Sequence, residues 1–223
     1  MDITKFLKNE STKFQKGWKR VFDKKLVWND FEKKAVTLFE SICKEARRQK
    51  LFEYLYVDNS EKHANEQIKP PYVTLFWGNH PTGEIDSRKK LIVEGGCALC
   101  YTQFSSGEVG VIFYPFRSEL REPHRKYYVY KIFSSPEKIT DADLHKHIKL
   151  MFSYAHYSSF IGMSSFNDWR RMKSLQIRSK IQEVWHSDWI EFMFNQAQKV
   201  LESNINRYLD LLPTQKGSLT QEP

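Results

Sequence analysis

Between Leu91 and Phe133 the chain is a succession of short runs rich in β-branched and aromatic residues, separated by turn residues. The runs are Leu91–Val93, Cys97–Phe104, Val109–Phe116 and Tyr127–Phe133, with the polar tetrapeptide Ser105-Ser106-Gly107-Glu108 between two of them. Runs of this composition read as strands, and a short polar connection containing glycine lets two of them pair as a hairpin. With the further run Tyr72–Trp77, the stretch predicts an antiparallel meander over about residues 72–133. A bare meander is unstable in water, so the rest of the chain has to cover its apolar face.

The flanking sequence has the period of helices. From Asn29 to about Arg48, Phe31, Ala35, Leu38, Phe39, Ile42, Cys43 and Ala46 fall on one helical face. Asn29 and Glu32 have the spacing of a capping box, which predicts that the helix begins there. Residues 1–28 are Lys-rich, with Phe6, Phe14, Trp18, Phe22 and Trp28 spaced among the lysines. They read either as a short helix docked through its aromatics or as a basic arm, and the two tryptophans favour docking. Leu51–Val57 extends the helix or opens the sheet. Gly78–Gly83 breaks the strand that ends at Trp77, Glu84–Lys90 is a charged connector, and Gly95-Gly96 marks a bulge or bend. Thr140 and Asp143 form a capping-box pair before a helix from about Asp141 to Phe160.

Beyond Ser165 the pattern is helical but out of phase with itself. Ile177, Ile181, Val184 and Trp185 define one face; Ile190, Met193, Phe194, Ala197, Leu201, Ile205 and Tyr208 define another, half a revolution away. Two helices broken near His186-Ser187 explain this, with Pro213 ending the second. The expected fold class is α+β: an N-terminal helix, a largely antiparallel sheet and a helical C-terminal third. The expected organisation is a basic aromatic segment 1–28, an α+β core 29–163, C-terminal helices 164–212 packed on it and a disordered tail 213–223.

Composition narrows the functional classes. With 40% hydrophobic and 15% aromatic residues, the 223-residue chain can build a sizeable core. It contains no run of about 18 apolar residues, so no membrane partner is expected. Its first residues lack the apolar stretch of a secretory signal. Three cysteines in apolar settings fit free thiols in a reducing compartment, so the expected location is cytoplasmic. The net charge of +8 favours polyanionic partners. The excess is uneven: 14 Lys/Arg stand against 9 Asp/Glu in residues 1–60, and 8 against 5 in residues 117–150.

Each candidate for chemistry is incomplete. Cys97-x-x-Cys100 is half of a zinc or redox signature, but on a strand residues three apart point to opposite faces, so the thiols are expected to be free and metal-free. His145, Lys149, Phe152 and His156 share one helical face and His147 lies off it. His145 and His156 are separated by about three turns, roughly 16 Å, too far to share a metal. His80 on a Gly-flanked segment and His124 in the basic loop are the candidate general bases. Asp86 and Glu94 flank an apolar strand as nuclease carboxylates do, but the lysine two residues after Glu94 is replaced by Gly96. The chain has no phosphate-binding glycine loop, dinucleotide fingerprint, nucleophile elbow or zinc-protease motif, so no cofactor is expected.

What remains is basic and aromatic. Arg117, Arg121, His124, Arg125 and Lys126 lie between strands carrying Tyr114, Tyr127, Tyr128 and Tyr130. Arg170, Arg171, Lys173, Arg178 and Lys180 decorate the next helix. Guanidinium groups bind phosphate and aromatic rings stack on bases. The contact residues expected for nucleic acid or phosphate are Arg117, Arg121, Arg125, Lys126, Tyr128, Arg170 and Arg171. The leading expectation is a non-catalytic binding or adaptor subunit that contacts nucleic acid, with a protein partner or a second copy. The alternatives are an enzyme on a phosphate-bearing substrate, with a His base and an Arg clamp, and a protein-only scaffold.

Overall fold

The computed structural model describes residues 2–50, 54–63, 70–85, 87, 89–118, 125–159 and 162–185. The fold is α+β. Helix α1 (Ile3–Arg48) is followed by β1 (Leu55–Asn59), β2 (Tyr72–Trp77), β3 (His80–Ile85), β4 (Leu91–Gly95), β5 (Ala98–Gln103), β6 (Val109–Tyr114), β7 (Arg117–Ser118) and β8 (Tyr128–Phe133), then α2 (Asp141–Ser158) and α3 (Phe166–Trp185). Among the described residues, no helix is long and apolar enough to cross a membrane.

The main sheet has the order β1-β2-β5-β6-β8, antiparallel throughout. The hairpin expected at Gly107 joins β5 to β6, with Gly107 at φ +78 and its N–H donating to the Phe104 carbonyl at 2.8 Å. Residues 72–133 are not one continuous meander, however. Strands β3, β4 and β7 form a second sheet of order β3-β4-β7. His80–Ile85, read as a break and the start of a connector, is therefore a strand. The excursion closes where Trp77 N–H donates to the Cys97 carbonyl (2.8 Å) and Gly96 N–H to the Trp77 carbonyl (2.9 Å). Gly96 turns the chain at φ +84, and a Cβ on Gly95 would sit 2.1 Å from Asn79 Oδ1. The two glycines thus permit a tight neck that other residues would crowd.

One face of the main sheet, with Leu75, Leu99, Tyr101, Val111 and Phe113, packs with α1 and α2 residues including Phe31, Phe39, Leu144 and Met151. The other face carries Phe76, Ala98, Cys100, Ile112 and Val129 in a separate apolar cluster. Cys97 belongs to the first cluster and Cys100 to the second, so the strand separates them as the spacing predicts. Burial pushes the Cys43 thiol up to about 11 and the Cys100 thiol to about 12, and raises that of Cys97 as well.

Two expectations about the helices need correction. The first helix does not start at Asn29; α1 runs through it unbroken from Ile3. Neither proline nor a run of β-branched residues interrupts Ile3–Asn29, and the Lys-rich sequence is a good helix former. Glu32 caps nothing. It is 3% exposed and accepts hydrogen bonds from Trp28 Nε1 (2.6 Å), Asn59 Nδ2 (3.0 Å) and Ser60 Oγ (3.0 Å). The second correction concerns α3, which packs through Met172, Leu175 and Ser179, while Ile177, Ile181 and Val184 are exposed. The small Ser179 lets α3 approach β8 closely, its Oγ accepting from Val129 N–H at 3.0 Å. By contrast, Thr140 and Asp143 make the capping box expected at the start of α2. The expected break near His186 and the segment after it lie outside the described residues.

Candidate anion-binding site

Helix α3 lies along β8 with α2 beside it, and the two helices leave an open pocket of about 370 Å³ between them. Its floor is buried and apolar, made by Tyr130, Leu150 and Leu175. Its walls are exposed and basic. α2 contributes His145, Lys146 and Lys149; α3 contributes Arg171 and Arg178. Each wall follows from helical spacing: His145 and Lys149 are one turn apart, Arg171 and Arg178 two. Packing α2 against α3 turns the two basic edges toward one space.

Several of these groups are held in place. Arg171 donates from Nη1 to Ser153 Oγ on α2 at 2.8 Å, and the same nitrogen lies 3.9 Å from Asp168. The Arg178 guanidinium carbon stands 5.2 Å from the centre of the Tyr130 ring, and Lys146 Nζ 5.9 Å from it. His145 Nδ1 is 2.8 Å from the Asp141 carbonyl. A carbonyl only accepts, so Nδ1 carries the hydrogen and Nε2 is the nitrogen left for a ligand. Among the described residues, no carboxylate lines the pocket. Four cations and an imidazole around a shallow apolar floor suit a multiply charged anion, with guanidinium forks matching phosphate oxygens.

Just below the floor, His147 is fully buried between β5, β8 and α2, with Nδ1 2.8 Å from the Tyr101 hydroxyl. Burial pushes its pKa down to about 4; Asp143 opposes this, and Lys146 and Lys131 add to it. His147 is therefore neutral in the folded protein near neutral pH.

The residues expected from sequence scatter. Arg171 lines the pocket, and Arg170 is exposed on the same helix. Arg125 instead pairs with Glu183 at 2.7 Å and lies over the Tyr128 ring. Tyr128 is 6% exposed, and Lys126 is exposed beyond it. Arg117 is half-buried in β7 of the second sheet. Arg121 and His124 lie outside the described residues. His80 begins β3, with Nε2 3.2 Å from the Glu94 carboxylate and Nδ1 3.4 Å from the Gly78 carbonyl. Ser159 donates to the same Glu94 oxygen. Both nitrogens of His80 face acceptors within the fold, so neither points to an open site where a substrate could be held. Lys146, Lys149, His145 and Arg178 were not among the expected contacts. Their signal was in the sequence as two helical faces, but which faces meet is decided by packing.

Comparison with protein-family models, with curated proteins and with solved structures finds no match.

Proposed function

We propose that the protein is a non-catalytic binding protein that holds nucleic acid by its phosphates in the pocket between α2 and α3. The observation that carries this reading is the pocket lining: Lys146, Lys149, Arg171 and Arg178 with His145, and no carboxylate among the described residues that line it. The reading favours phosphate contact over base recognition, because Arg178 and Lys146 already stand over the Tyr130 ring that a base would use. Binding of this kind is insensitive to sequence and sensitive to salt, since each neutralised phosphate releases counterions.

The test is fluorescence anisotropy with labelled single- and double-stranded oligonucleotides at several salt concentrations. Arg171→Ala combined with Arg178→Ala should weaken binding by at least about 10-fold, because a hydrogen bond to a charged group contributes about 1.5–3 kcal/mol. The salt slope should flatten by up to about 2 units on duplex DNA. Arg125→Ala should have the smaller effect, since that guanidinium is committed to Glu183. No binding by the unsubstituted protein at about 50 mM salt, or unchanged binding by the double variant, would remove the reading. Of the two histidines expected as a base, His80 has both nitrogens occupied by Glu94 and Gly78, and His124 lies outside the described residues.

A further inference from the structure

We propose that residues 3–22 of α1 pair antiparallel with the same residues of a second copy of this chain. This rests on observations separate from the pocket. The second half of α1 lies on the main sheet through Trp28, Phe31, Ala35, Phe39 and Cys43. The first half passes beyond it. The helix leaves the sheet at the β5–β6 turn, where Gln103 Nε2 donates to the Lys24 carbonyl at 3.1 Å and Gly107 lies against Lys24. N-terminal to that point, Ile3, Leu7, Phe14, Trp18 and Phe22 are 64, 59, 67, 75 and 61% exposed.

Ile3, Leu7, Phe14 and Trp18 continue the stripe that docks on the sheet, and Phe22 flanks it. Leu7, Phe14, Val21, Trp28, Ala35 and Ile42 recur every seven residues, which is the repeat of a helix that packs against a partner along its length. At about 150–250 Å² per aromatic side chain, Phe14, Trp18 and Phe22, about two-thirds exposed, leave roughly 300–500 Å² of apolar surface in water, and Ile3 and Leu7 add to it. The largest patch on an ordinary monomer is about 300–600 Å², whereas a standard interface takes about 800 Å² from each partner.

Geometry selects the occupant. The exposed half of the stripe is in phase with the docked half, so it faces the side on which the sheet stands. A flat lipid surface laid along it would run into the sheet. The occupant must be slender and must stop at the Gly107 turn. A second α1 satisfies both conditions. In a two-fold antiparallel pairing, Ile3 stands opposite Phe22, Leu7 opposite Trp18 and Ser11 opposite Phe14, and each helix end arrives at the partner's Gly107 turn. The two sheets then stand at opposite ends of the pair. Between Ile3 and Phe22 there are six Lys/Arg against one Glu, and Lys5, Lys8, Lys16 and Lys19 lie on the face away from the stripe. Like charge on the two copies opposes association, so salt strengthens the pair, whereas it weakens capture of an acidic protein or an anionic lipid.

Sedimentation equilibrium of the full chain tests this at about 50 mM and about 500 mM NaCl. The expected result is a dimer, tighter at the higher salt. Phe14→Asp with Trp18→Asp should weaken it by roughly 100-fold or more, since two central anchors are lost, with circular dichroism confirming the fold. Ser11→Leu should tighten it by filling the space opposite Phe14, which keeps the test decisive if the aspartate variant folds poorly. A monomer under both conditions overturns the proposal, as does a dimer indifferent to both sets of substitutions. A monomer that sediments with phosphatidylserine vesicles and loses this with Trp18→Asp would assign the stripe to lipid instead.

Discussion

Glu32→Leu is expected to lower the free energy of unfolding by about 3 kcal/mol, because the buried Trp28 and Asn59 donors lose their acceptor at about 1–3 kcal/mol each and the half-buried Ser60 hydroxyl loses a bond to a charged group. Glu32 lies on α1 but reaches across to β1 and the turn after it. Its carboxylate collects Trp28 Nε1 within the helix, Asn59 Nδ2 at the end of β1 and Ser60 Oγ beyond it. Replacing both members of a buried polar contact by apolar groups can be neutral, but here three polar partners stay behind. The change should lower the melting temperature by roughly 6–12 °C, at about 2–4 °C per kcal/mol for a chain of this size. Glu32→Gln should be milder, since its carbonyl can still accept. Urea unfolding followed by tryptophan fluorescence gives the difference directly. A loss below about 1 kcal/mol for Glu32→Leu would show that the three donors find other acceptors.

The second large effect is a dependence of stability on pH that arises from His147. In the unfolded chain a histidine takes up a proton near pH 6.5; in the folded protein His147 does so only near pH 4, because burial disfavours the charged ring. Above both values neither state binds the proton and the group contributes nothing. As pH falls through about 6.5 the unfolded state gains a proton that the folded state does not, so stability declines until pH reaches about 4. A shift from 6.5 to about 4 corresponds to roughly 3 kcal/mol, at about 1.36 kcal/mol per unit. His147→Gln can keep a hydrogen bond to the Tyr101 hydroxyl while removing the titration. Comparing the two proteins at pH 7 and pH 4 cancels the carboxylates they share. The wild type should lose about 3 kcal/mol more than the variant over that interval. Parallel stability profiles would mean that His147 takes up its proton at the same pH folded and unfolded.

What the sequence revealed and what it hid follow from the range of the interactions. Local signals were legible. The Gly107 hairpin, the Thr140–Asp143 capping box and the strands Tyr72–Trp77 and Tyr128–Phe133 depend on neighbours within a few residues. Glu32 misled for an instructive reason: three residues after Asn29 it has the spacing of a cap, yet its carboxylate serves residues 27 and 28 positions away. The second sheet was hidden because His80–Ile85 lacks a strand composition; it pairs with Leu91–Gly95 across the Trp77–Cys97 neck. On α3 the apolar stripe of Ile177, Ile181 and Val184 suggested the packed face, but the close approach needed at Val129 selected Ser179. The pocket was half legible. Its aromatic and basic residues stand out, while the meeting of α2 with α3 over Tyr130 is a tertiary event. The loop 117–126, which drew most of the expectation, contributes Arg125 to an ion pair with Glu183.

The pocket can be tested at its own atoms by nuclear magnetic resonance of the arginine Nε–Hε groups, titrated with a phosphorylated oligonucleotide at low salt and assigned with single Arg→Lys variants. The expected result is that the Arg171 and Arg178 signals move together and saturate, with backbone shifts at His145 and Lys149, while Arg125 stays in place. Shifts confined to Arg125, or none at Arg171 and Arg178 at saturating ligand, would contradict a phosphate site between α2 and α3.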